Sequence, residues 1–75
     1  MMKVWIVENI DSEIVVAQTA TDAYNICRKC ISENEDDAEA AEEFFNELAH
    51  SYSDSRASFG VEGVIWARAM DVVKE

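Results

Sequence analysis

Seventy-five residues, 49% of them apolar, make one small domain spanning residues 1–75 with enough apolar material for a core. Sixteen Asp and Glu against six Lys and Arg leave a formal net charge of −10, which excludes direct nucleic-acid binding and docking on anionic lipid, because both need Lys and Arg in quantity. No stretch approaches the ~20 apolar residues of a membrane span. Met1-Met2-Lys3 is followed by only four apolar residues before Glu8, so no secretory signal is expected, and the two cysteines are placed in a reducing cytoplasm.

Lys3-Val-Trp-Ile-Val7 is a β-branched and aromatic run and predicts a strand. Turn residues at Asn9-Ile-Asp-Ser12 lead into a second apolar run, Glu13-Ile-Val-Val-Ala-Gln18, so the two segments predict an antiparallel hairpin. Thr19 with Asp22 three residues later reads as a helix start, and a helix is expected from about Thr21 to Ser32 with Ala20, Ala23, Cys27, Cys30 and Ile31 on one face. Glu33-Asn-Glu-Asp36 interrupts that pattern. Asp36 is the expected N-cap of a second helix over Asp37–Tyr52, with Glu39 in the reciprocal position of a capping box. Its apolar stripe is Ala38, Ala41, Phe44, Phe45, Leu48 and Tyr52, within about 120° of arc at 100° per residue.

Ser53-Asp-Ser-Arg-Ala-Ser58 reads as a polar loop and as the most mobile segment. Gly60 and Gly63 bracket an expected turn at Val61-Glu62, and Val64–Val73 closes the chain as a strand. The order is β-β-α-α-β, and the expected fold class is α+β: a three-stranded sheet with two helices packed on one face. Both hairpin strands carry apolar residues on both faces, so the uncovered face is expected to show an apolar patch near Trp5 and Trp66. Self-association through that face, as a homodimer, is one expectation; cover by Phe59 or Val61 is the other.

Nine of the acids fall between Cys30 and Ser55, with no Lys or Arg among them. On the second helix they project opposite the apolar stripe. Glu39, Glu42, Glu43 and Glu47 place four carboxylates along about 12 Å of helix. That density is near the ~3.4 Å per phosphate of one DNA strand. Like charges at i,i+4 (Glu35–Glu39, Glu39–Glu43, Glu43–Glu47) each cost roughly 0.2–0.5 kcal/mol. Such repulsion serves either solubility or a basic protein partner.

Cys27-Arg-Lys-Cys30 matches C-x-x-C, but both thiols lie mid-helix on the apolar face, which favours core thiols over a redox pair. A zinc site needs two further ligands, and His50 is the single histidine. The acidic stretch lacks the glycine and the alternating ligands of a calcium loop. His50 has no nucleophile partner from a separate element, so no catalytic set assembles and no enzyme, metal or cofactor is expected.

Lys3-Val-Trp-Ile-Val-Glu8, Ile14-Val-Val-Ala17, Thr21-Asp-Ala-Tyr24 and Glu62-Gly-Val-Ile-Trp-Ala-Arg68 together resemble small proteins of bacterial phages and prophages. The likeness covers the two ends better than the acidic middle. It implies action by binding host proteins, and acidic members of that kind include nucleic-acid mimics. The leading expectation is a non-enzymatic interaction protein that meets a basic protein surface through Glu39, Glu42, Glu43 and Glu47. The alternative is a homo-oligomeric structural or accessory protein that uses its open sheet face.

Overall fold

The computed structural model describes residues 2–52 and 57–72. The order is β1 (Met2–Asn9), β2 (Ile14–Ala17), α1 (Ala20–Asn34), α2 (Ala38–Ser51), β3 (Ser58–Val61) and β4 (Ile65–Val72). The fold is α+β with a four-stranded antiparallel sheet in the order β2-β1-β4-β3. The expected three-stranded sheet is therefore corrected to four strands. The missed strand is β3. The polar segment Ser53-Asp-Ser-Arg56 lies outside the described residues, as does Val73 at the end of the last strand.

Gly60 is the reason the local pattern predicts a turn where β3 runs. It sits inside the strand, opposite Trp66, with φ 152°. A Cβ there would run into the Ile65 carbonyl and come within 2.9 Å of both Cα and Cε3 of Trp66. Glycine is thus needed for the close approach of β4, a long-range demand that a local pattern does not carry. The reversal itself is at Glu62-Gly63, with φ 79° at Gly63 and Val64 N–H donating to the Val61 carbonyl at 3.0 Å.

The first hairpin is as the sequence predicts. Asn9 organises its turn: Oδ1 accepts from the N–H of Asp11 and of Glu13, both at 3.0 Å, as an Asx residue does. Ser12 takes φ 63° between them. The long ladder from Met2↔Val72 to Asn9↔Ile65 then joins the two ends of the chain at the centre of the sheet.

Thr19 caps α1 as expected, its Oγ1 accepting from Asp22 N–H at 3.0 Å. The cap of α2 is one residue later than expected. Asp37, not Asp36, accepts from Glu39 N–H at 2.9 Å. Glu39 is then the second helical residue rather than the third, so the reciprocal box with Asp36 does not form. Glu35 closes α1 instead of entering α2, which removes Glu35–Glu39 from the helical repulsions. Ala38, placed in the apolar stripe by the sequence, is exposed in the first turn.

Both helices pack on one side of the sheet. Alternation along the strands sends Trp5, Val7, Ala17, Phe59, Val61, Ile65 and Ala67 to that side, where they meet Ala23, Cys27 and Ile31 of α1 and Ala41 and Leu48 of α2. An aromatic group ties the layers together. Trp5 and Phe59 have ring centroids 5.1 Å apart, Tyr52 meets Phe59 edge-on at 5.0 Å, and Tyr24 lies 4.6 Å from Tyr52. Such pairs add about 0.5–1.5 kcal/mol each beyond the area they bury.

Candidate functional site

Two surfaces on opposite sides of the molecule are candidates, and the layer order sets their separation. The first is the outward side of α2. Leu48 and Ala41 are buried beneath the helix, and Phe45 is half-buried with the Arg28 guanidinium 5.2 Å above its ring. The 3.6-residue period then turns Glu39, Glu42, Glu43 and Glu47 to solvent, and all four are exposed. Among the described residues none of the four takes part in an ion pair; the pair present is Lys29–Glu33 on α1, at 3.8 Å. The row is therefore an uncompensated negative field held on a packed helix.

The second surface is the open face of the sheet. The same alternation that buries Trp5 turns the even-numbered residues of β1, β2 and β4 the other way. Cross-strand pairing sets Val16, Ile6 and Arg68 in one row, and Ile14, Glu8 and Trp66 in the next, with Val4 beside Met70. Ile14 is 61% exposed, Val16 60%, Met70 46% and Trp66 43%. These side chains form an apolar face interrupted by Glu8 and Arg68, with half-buried Val4 and Ile6 along its middle. Val15, in register with buried Val7, points to the helix side at the sheet edge, and Ile10 lies in the hairpin turn; both are exposed. The Trp66 ring lies over Gly60 of the neighbouring strand, which holds the indole against the sheet.

The two tryptophans expected together on this face are separated by the structure. Trp66 is on it. Trp5 is 7% exposed and sits under the helices against Phe59, so its assignment to self-association is corrected to the core. With apolar residues at both parities of β1, the sequence leaves open which set faces the helices. The register against β4 and the ring contact with Phe59 decide it.

Cys27 is buried and Cys30 half-buried. Burial, and after it the neighbouring Cys30 thiol, pushes the Cys27 thiol from its ordinary 9.0 up to about 12. A thiol so protonated is a poor nucleophile at neutral pH. Asn34 closes over the second thiol, its Nδ2 donating to the Cys30 carbonyl at 2.9 Å and lying 3.4 Å from Sγ. His50 is exposed in the last turn of α2. Among the described residues no three His, Cys, Asp or Glu side chains converge to hold a metal ion, and no helix is long and apolar enough to cross a membrane.

Ser51 joins the helix layer to the sheet edge. At the end of α2 its Oγ accepts from Gly60 N–H at 3.0 Å, and its own proton is shared between the carbonyls of Leu48 (2.9 Å) and Gly60 (3.0 Å). One hydroxyl thereby satisfies both outward backbone groups of Gly60 at the edge of β3. No local signal marks it, because Ser51 and Gly60 belong to different elements.

Compared with known proteins, the chain matches no family model, no curated protein and no solved structure.

Proposed function

We propose that this is a non-enzymatic interaction protein of the cytoplasm that binds a basic protein surface through the acidic face of α2. The observation that supports this most is the exposure of Glu39, Glu42, Glu43 and Glu47 together on one packed helix, none of them in an ion pair among the described residues. Four carboxylates over about 12 Å give one charge per ~4 Å, a spacing close to that of phosphates along a nucleic-acid strand. A basic channel shaped for such a strand is the complementary surface. Capture from lysate with elution by a salt gradient tests the reading. A basic protein is expected to be retained and to leave as salt rises, because exposed charge pairs are screened within about a Debye length. If the same protein is retained when all four glutamates are changed to Gln, the acidic face is not the binding surface.

A second reading is favoured by a separate observation, the apolar face of Ile14, Val16, Met70 and Trp66. Here the protein is a homo-oligomeric structural or accessory subunit, and the open sheet face is its working surface. The two readings are compatible, since the helix layer stands between the two surfaces.

A further inference from the structure

We infer, building on the homo-oligomer reading, that a second copy of this chain packs face to face on the open sheet, about a twofold axis that sets Arg68 of each copy against Glu8 of the other. Three observations converge on a second copy as the occupant.

The first is charge. In a chain of net charge −10, the strands present just two charged side chains to the open face, Glu8 and Arg68, one of each sign. The face is thus neutral, and it is where two strongly acidic molecules approach each other at least cost. The second is self-complementarity. An isologous interface requires that residue i meet residue j and that j meet i. Glu8 and Arg68 lie on adjacent strands one row apart, since Glu8 pairs with Trp66 and Arg68 with Ile6. Both are exposed, and no ion pair joins them within one molecule. A twofold axis between the two sheets that bisects the line from Glu8 to Arg68 lays each guanidinium over the partner's carboxylate. The third is exposure. Ile14, Val16, Met70 and Trp66 are each 43–61% exposed on this one face, an apolar grouping of the kind that marks an interaction surface. The acidic helices then point outward on both sides of the dimer, away from each other.

The test is sedimentation of the full chain over a concentration series, with circular dichroism of each variant as the fold control. Wild type is expected to show a monomer–dimer equilibrium that tightens as salt screens the net repulsion between two acidic bodies. Arg68→Glu sets like charges against each other and is expected to weaken the dimer about tenfold or more, as is Met70→Lys one row beyond Arg68 on the same face. Glu8→Arg combined with Arg68→Glu restores the complementarity and is expected to recover most of the loss. If wild type is dimeric but indifferent to both single changes, the face-to-face arrangement is wrong while the homo-oligomer reading stands. If wild type stays monomeric at every concentration reached, both are wrong. Failure of the double swap to recover the dimer, with each variant folded, overturns the Arg68–Glu8 pairing.

Discussion

The sheet has two faces that the chain treats differently although they are built from the same strands. The helix-covered face holds Trp5, Val7, Phe59 and Ile65, all buried, and among the described residues no buried side-chain N or O lacks a hydrogen bond. The open face holds Ile14, Val16, Trp66 and Met70, all exposed, with Arg68 and Glu8 set among them. The edges repeat the contrast. Ser51 closes β3, whereas no described backbone group pairs with the outer edge of β2, whose first three residues are apolar and exposed. Burial alone thus does not account for where this protein places its apolar residues. One face makes the fold stable, and the other is left as surface.

The sharpest way to break that comparison is to truncate one tryptophan on each face. Trp5→Ala removes a buried ring from the aromatic group and is expected to cost about 3–5 kcal/mol. Trp66→Ala on the half-exposed side is expected to cost roughly 1–2 kcal/mol. Urea denaturation measures both, and equal losses would erase the distinction between the faces. Next in size is Gly60→Ala. It forces a side chain onto a positive φ beneath Trp66 and is expected to cost about 2–4 kcal/mol. The same change at Gly63, where nothing beyond its chain neighbours lies within 4 Å of the added Cβ, carries the conformational strain alone and is expected to cost less.

Ser51→Ala leaves the Gly60 N–H without its partner and is expected to cost about 1–2 kcal/mol, with faster hydrogen exchange along β3 as the local readout. The covered face also sets a pH dependence. The Cys27 thiol titrates near its ordinary value when unfolded and at about 12 when folded. Its contribution is therefore complete below about pH 9 and is lost as pH rises from there toward about 12. Cys27→Ala is expected to flatten that part of the alkaline stability profile, and an unchanged slope would place its cause elsewhere. The smallest effect belongs to α2. Glu43→Gln removes the repulsions toward Glu39 and Glu47 and is expected to raise stability by a few tenths of a kcal/mol in low salt, with the gain fading as salt is added.

The parts legible in the chain are those that local periodicity controls. The Asn9 turn, the Thr19 cap and the amphipathic division of α2 all follow from residues within one or two turns of each other. The acidic row was readable for the same reason, since a helix period alone turns Glu39, Glu42, Glu43 and Glu47 away from Phe45 and Leu48. The parts that escaped depend on partners far along the chain. Gly60 reads as a turn residue until Trp66 is placed on top of it. Ser51 reads as an ordinary helix end until β3 lies beside it.

By itself, then, the amino-acid order determined two helices with their polar faces, a first hairpin, a closing strand and a concentrated negative charge, because each depends on short-range spacing. Only the tertiary structure decided that the sheet has four strands, that Trp5 is core while Trp66 is surface, and that Glu8 and Arg68 share an apolar face. Strands that are apolar at both parities satisfy either orientation locally. The register of β1 against β4, and the side on which the helices come to rest, choose between them.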